Sequence, residues 1–167
     1  KVIEDASHAI GASYNNKKVG SGIYSHITVF SFHPVKIITT GEGGMATTNY
    51  SSLEERMRNF RSHGITNNKG LMHPRSENEI WNYQQIELGF NYRMTDIQAA
   101  LGLSQMARLD QFVQRRHQIA DHYNKSLKAL PITLPWQAPE NYSSYHLYPI
   151  RVNEGQCNKN QRQIHDT

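Results

Sequence analysis

The stretch from Ile27 to Gly44 constrains the fold more than any other part of the chain. Residues Ile27 to Phe32 (ITVFSF) are β-branched or aromatic apart from one serine, which predicts a buried strand. Lys36 follows within a short apolar run, between Val35 and Ile37-Ile38, and the turn Gly41-Glu42-Gly43-Gly44 comes next. Val2-Ile3-Glu4 reads as a shorter strand ending at Asp5. Gly43 to Thr48 (GGMATT) reads as a third strand. Three strands with charged or reactive residues at their ends predict an α/β sheet whose strand ends form a site.

Helices are expected further on. Residues 51–63 place Leu53, Met57 and Phe60 at helical spacing, with Ser51 or Ser52 as N-cap. Residues 64–90 are polar and Asn-rich, which predicts a long loop, and ordered loops of that length are more often functional than idle. Thr95-Asp96-Ile97-Gln98 has the form of a capping box. A helix is predicted from Asp96 to about Leu130, with Gly102 and Asp110 as candidate breaks and Pro131 as the stop. Tyr142 to Val152 (YSSYHLYPIRV) reads as a last strand, with Pro149 marking an edge or a bulge.

Composition narrows the class. The 167 residues suffice for a packed core, and 37% hydrophobic with 19% charged residues is too apolar for a disordered chain. No apolar run is long enough to span a membrane. The single cysteine, Cys157, excludes an internal disulfide and a multi-cysteine metal site, and a reduced, cytoplasmic setting is the default expectation. A pI near 9.2 raises the alternative of a nucleic-acid-binding domain. The basic residues are scattered singly or in pairs among acidic ones, which argues against it. The chain starts on Lys1 inside an apolar run and stops at Thr167 in a polar one, so it is expected to be an internal piece of a longer protein.

Several residues could carry chemistry. A buried Lys36 would have its charged form disfavoured, and a neutral amine attacks carbonyl carbons. The competing reading is a lysine at a strand end with its ammonium in solvent. Asp5 ends the first strand with His8 close behind. Its carboxylate could pair with a protonated ring nitrogen, or it could simply cap the following turn. Ser31 offers a hydroxyl suited to a phosphate, or a small residue packed in the sheet. Gly41, Gly43 and Gly44 permit tight turns but do not have the spacing of a nucleotide-binding P-loop. His117 and His122 are spaced wrongly for one helix face, and no metal site is expected. Tyr142, Tyr145 and Tyr148 read as strand packing.

Three blocks, VIEDASHAIGASY, TVFSFHPVKIITTGEGGMATTN and LGFNYRMTDIQAALGLSQM, resemble in order the consecutive blocks of the pyridoxal-phosphate-dependent nucleotide-sugar aminotransferases. The resemblance covers nearly the whole chain. His33-Pro34-Val35-Lys36 and the Ser-Tyr-His-Leu-Tyr-Pro run at 144–149 are most similar to the branch acting in pseudaminic acid biosynthesis, which aminates C4 of a UDP-linked 4-keto-6-deoxy-HexNAc. The resemblance implies fold type I: a mixed, mostly parallel seven-stranded sheet with helices on both faces, here incomplete, followed by a smaller α/β domain. Residues 1–108 would be the C-terminal part of the large cofactor domain and 109–167 the start of the small one.

The resemblance also implies residue roles. Lys36 matches the Schiff-base lysine, and Asp5 the acid that pairs with the pyridine nitrogen. His8 matches the partner of the cofactor's ring hydroxyl, and Ser31 a phosphate ligand. Asn91 matches a residue reaching the cofactor phosphate of the neighbouring subunit, which implies a homodimer with a shared site. His33 and Arg93 are expected substrate contacts, and Lys69 and Arg75 mark the loop in which to look for more. Glutamate is the implied amino donor, and no nucleic acid or membrane partner is expected. A catalytically inactive regulatory relative is the alternative, and the presence of Lys36 speaks against it. Further cofactor ligands are expected outside the chain, which by itself should be poorly stable and inactive.

Overall fold

The computed structural model describes residues 1–74 and 83–166, so Arg75 lies outside the described residues. The first part of the chain holds β1 (Ile3–Asp5), β2 (Ser13–Tyr14), β3 (Lys17–Lys18), β4 (Ile27–Ser31) and β5 (Gly44–Thr47). Next come α1 (Ser51–Arg61), β6 (Ile65–Thr66) and β7 (Gln84–Gln85), then α2 (Asp96–Met106) and α3 (Leu109–Ser126). The last part holds β8 (Ile132–Thr133), β9 (Asn141–Tyr142), β10 (Arg151–Val152) and the short α4 (Gln161–His165).

The three strands expected in the first fifty residues form one mixed sheet, ordered β1-β4-β5. β4 is central. It runs parallel to β1, with Asp5 opposite Val29, and antiparallel to β5, with Ser31 opposite Gly44. Along β4, Thr28 and Phe30 are buried while Val29 is exposed, the alternation of a sheet covered on one face. The covering layer is α3. Its Leu109 and Val113 share one core with Ala6, Phe30, Phe32, Ile37 and Ile38.

Burial of Ile37 and Ile38 folds the segment after β4 back beneath the sheet. Phe32 fixes both ends of that loop. Its N–H donates to Gly43 O at 2.8 Å, and its carbonyl accepts from Thr40 N at 3.0 Å. α2 holds the loop from the other side. Gln105 Oε1 accepts from Thr39 N at 2.9 Å, and Gln98 Nε2 donates to Glu42 O at 3.0 Å. Gly102 lets the helix come this close, since a Cβ there would lie 2.8 Å from Cγ2 of the buried Thr40. The capping box at Thr95 and Gln98 is formed as expected, so α2 begins at a fixed residue.

The structure departs from the sequence expectations in five places. The helical stretch breaks at Ala107-Arg108, next to Asp110 and not at Gly102, and it ends at Ser126, short of Leu130. α1 is preceded by Tyr50 as N-cap with no side-chain cap bond, so neither serine caps it. The 64–90 loop carries a two-stranded antiparallel ladder, β6 with β7. The expected strand at 142–152 is two short strands with irregular chain between them. β9 joins β2 and β10 joins β8, and Tyr145 at φ 48° interrupts any continuous ladder. Finally, β2 and β3 form a hairpin that the sequence reading did not include. Its turn residues Asn15 and Asn16 both have positive φ, as a two-residue turn between right-twisted strands requires.

Candidate active site

Parallel pairing of β1 with β4 brings their carboxyl ends together, and four of the expected cofactor residues, Asp5, His8, Ser31 and Lys36, lie there. Asp5 is the last residue of β1, Ser31 the last of β4. His8 lies on the turn after β1. Lys36 lies on the turn after β4, where its N–H donates to His33 O at 2.9 Å. Lys36 is half-buried, with the side chains of Ile37 and Ile38 taken into the core and Val35 exposed. The apolar enclosure expected from its neighbours in sequence is therefore not built around the amine, because those neighbours serve the core.

Asp5 caps the turn that follows β1, the second of its expected readings. Its Oδ1 accepts from Ser7 N at 3.0 Å and from Ser7 Oγ at 2.5 Å, which closes the turn leading to His8. These two bonds, the hydroxyl's above all, hold the carboxyl below its ordinary range, and the charges of His8 and Lys36 add to the effect. The result is an exposed, ionised carboxylate at a sheet edge with an amine and an imidazole in its field.

His33 and Ser31 stand beside this group. His33 N is 3.5 Å from Ser31 Oγ, and His33 Nε2 is 3.7 Å from Glu42 Oε1, so the His33 ring is turned toward Glu42. Asn91 and Arg93 belong to a second cluster. Asn91 bridges to Ser62, and Arg93 Nη2 lies 3.5 Å from both Asn91 Oδ1 and His63 Nε2. No hydrogen bond or ion pair joins the two clusters among the described residues.

One member of the first cluster escaped the sequence reading. His146, on the chain between β9 and β10, packs its ring against His8 with centroids 4.3 Å apart. Burial, then the charges of His8, Lys36 and Arg116, push its pKa below the ordinary histidine value. Its Nδ1 is shielded and makes no hydrogen bond. Neither periodicity nor motif spacing signals this placement, which depends on a backbone turn far along the chain. The nearby tyrosines pack against α3, Tyr142 from β9 and Tyr148 from irregular chain. Tyr142 stacks on His117 at 4.2 Å, and Tyr148 sits edge-on to Tyr123 at 5.2 Å.

The donor set suits pyridoxal phosphate. Lys36 supplies a primary amine, Asp5 a carboxylate kept ionised by its own turn, His8 an imidazole, and Ser31 a hydroxyl at the strand end. Among the described residues no group of three or more metal-ligating side chains occurs. No helix there is long and apolar enough to cross a membrane.

Comparison with known proteins gives the family. The chain is 39% identical over 150 residues to the UDP-4-amino-4,6-dideoxy-N-acetyl-beta-L-altrosamine transaminase of Campylobacter jejuni, covering 89% of this chain and 37% of the relative. It is 40% identical over 156 residues to the GDP-perosamine synthase of Caulobacter vibrioides, covering 92% of this chain and 38% of the relative. The chain thus spans well under half the length of these relatives. Among solved structures, Helicobacter pylori PseC, an aminotransferase of pseudaminic acid biosynthesis, superposes with a TM-score of 0.74 at 40% identity, covering 89% of this chain and 37% of that one. Spr1654 of Streptococcus pneumoniae superposes in its PLP form with a TM-score of 0.74 at 33% identity, covering 90% and 36%. Its PMP form gives 0.77 at 32% identity with the same coverage. The fold is that of the type I PLP-dependent aminotransferases, of which these residues form a part. Matched from residue 1 to residue 166, the chain belongs to the DegT/DnrJ/EryC1/StrS aminotransferase family.

Proposed function

We propose that the protein carrying this chain transfers an amino group to the 4-keto carbon of a nucleotide-linked 6-deoxy sugar. The acceptor in this reading is a UDP-linked 4-keto-6-deoxy-HexNAc, the donor is glutamate, and the product serves bacterial surface-glycan or flagellin sugars made in the cytoplasm. The observation that carries the proposal is the convergence of the Lys36 and His8 charges on the ionised Asp5 carboxylate, where two parallel strands end side by side. The acceptor follows from the name of the Campylobacter relative, a UDP-4-amino-4,6-dideoxy-N-acetyl-beta-L-altrosamine transaminase.

Bound pyridoxal phosphate supplies the electron sink for the reaction. The protein's own groups do the rest. Asp5 keeps a proton on the pyridine nitrogen, and its turn with Ser7 keeps Asp5 ionised for that task. Lys36 Nζ would hold the cofactor and, when free of it, would act as the base and then the acid that moves a proton at the substrate carbon. His8 would hydrogen-bond the cofactor's ring hydroxyl, and Ser31 Oγ would donate to its phosphate. Asn91 reaches the phosphate held by the other subunit of a homodimer, and Arg93 and His33 contact the sugar nucleotide. This reading puts the boundary between cofactor domain and small domain at residue 108; the break between α2 and α3 supports it, while Leu109 and Val113 of α3 still pack into the sheet's core.

The test uses the complete protein with pyridoxal phosphate. Borohydride reduction and peptide mapping should place the pyridoxyl label on Lys36, and the same preparation should show its highest kcat/KM with the UDP-linked acceptor. A label on another residue, or none, overturns the assignment of Lys36. A preference for a dTDP- or GDP-linked 4-keto sugar retains aminotransfer and overturns the acceptor.

A further inference from the structure

We propose that His146 is a positioning residue of the cofactor pocket, seating the His8 ring through direct ring contact. The inference rests on the role given to His8 above. His8 is exposed, and among the described residues its ring nitrogens make no hydrogen bond. The contact that orients it is the His146 ring, centroid 4.3 Å away and tilted by 48°. An imidazole that has to meet one hydroxyl of a bound ring needs a fixed plane, and a packed neighbouring ring supplies one.

The chain presenting His146 is built with side-chain bonds in place of a strand ladder. Arg116 Nη1, from α3, donates to Tyr145 O at 3.0 Å and to His146 O at 3.3 Å. The His117 ring bonds Ser143 O at 2.8 Å. Ser144, 1% exposed, donates from Oγ to Ile10 O at 2.5 Å, tying this segment to the loop that carries His8. Tyr148 Oη and Asn124 Oδ1 are 2.6 Å apart. Four anchors from α3 and the His8 loop thus hold a short irregular segment, and its side chain between them is His146. Tyr145 adopts a left-handed backbone conformation within it, which a non-glycine residue keeps only when its surroundings impose it.

His146 is also a ring that stays neutral beside His8, Lys36 and Arg116, so it packs on His8 without repelling it at neutral pH. The sequence role of the 144–149 run is then to form a wall of the pocket, contributed from beyond α3.

The test is a double-mutant cycle on the complete protein, read as the dissociation constant for pyridoxal phosphate. His146→Ala should weaken binding about two- to tenfold, the range set by an aromatic pair contact. In a His8→Ala background the same substitution should change binding by less than about twofold, because its partner is gone. His146→Phe, which keeps a ring against His8, should bind close to wild type. That variant also carries the test if His146→Ala fails to fold, with thermal melting of each protein as the control. Equal losses in both backgrounds, or no rescue by Phe, overturn the inference. Failure of the wild-type protein to bind pyridoxal phosphate overturns it together with the function proposed above, which separates the two failures.

Discussion

At the scale of single residues, Asp5 and Ser7 form the unit that sets the site's charge. Two hydrogen bonds from Ser7 to one carboxylate oxygen hold the proton off Asp5, and the hydroxyl contributes more than the amide. The native pKa is depressed, so this interaction favours the folded chain above the ordinary carboxylate range and is lost as pH falls through the native value. Ser7→Ala removes the larger cause and leaves the turn's backbone bond. The Asp5 pKa should rise toward its ordinary value, read directly by carboxyl-carbon NMR titration of the complete protein. The acid limb of pyridoxal phosphate retention should move to higher pH with it. An unchanged Asp5 titration would show that the Ser7 amide with the His8 and Lys36 charges suffices to keep the carboxylate ionised. The sequence placed Asp5 at a strand end but could not decide between a turn cap and an ion-pairing acid. The cap is made by Ser7, whose amide and hydroxyl serve one oxygen, and the Lys36 charge comes from the turn after a different strand, which no local pattern reveals.

At the scale of elements, α2 is the support for the loop that carries Lys36. Its closest approach is at Gly102, where an added Cβ would come within 2.8 Å of Thr40 Cγ2. Thr40 cannot easily give way, being 2% exposed and bonded from Oγ1 to Glu42 O at 2.7 Å. Gly102→Ala gains helix propensity of about 1 kcal/mol but overpacks at a cost of ~1–3 kcal/mol. The net expectation is a loss of about 1 kcal/mol in denaturant unfolding of the complete protein, relieved by Thr40→Ser in the same chain. Gly102 was legible in the sequence as an exception within a helix, yet its meaning was contact and not a break. Local signals served well elsewhere: the β-branched and aromatic run Ile27–Phe32 and the capping box at Thr95 depend on near neighbours, and the strand and the cap are both formed. Pairings such as Ser13 with Tyr142 were not legible, because strands of two residues carry no periodicity and the partners meet only through tertiary packing. His146 was hidden for the same reason.

At the scale of the whole molecule, the two residue clusters set the assembly question. Asp5, His8, Ser31 and Lys36 lie at one sheet edge, while Asn91 and Arg93 are fixed by the Ser62 bridge beyond α1 and share no hydrogen bond or ion pair with them. In the proposed shared site, the clusters would meet through a second copy of the chain. The surface around Asn91 supports this geometry. Leu88, Phe90 and Tyr92 are exposed beside it, with Phe90 and Tyr92 stacked at 4.8 Å, and Ile97 and Leu103 continue the apolar surface along α2. The backbone leading to Asn91 is held by its neighbours, because Gly64 and Gly89 pack backbone to backbone and His63 N donates to Phe90 O at 2.8 Å. A Lys36→Ala protein and an Asn91→Ala protein should therefore complement each other. In a twofold-symmetric dimer the mixed species has one site with both residues intact, so an equal mixture should recover about a quarter of wild-type activity. Subunit exchange is followed by native mass spectrometry of differently tagged chains. Heterodimers that form without any gain over the separate variants would place Asn91 and Lys36 in the same subunit's site, and the exposed apolar surface along α2 would then need a different partner.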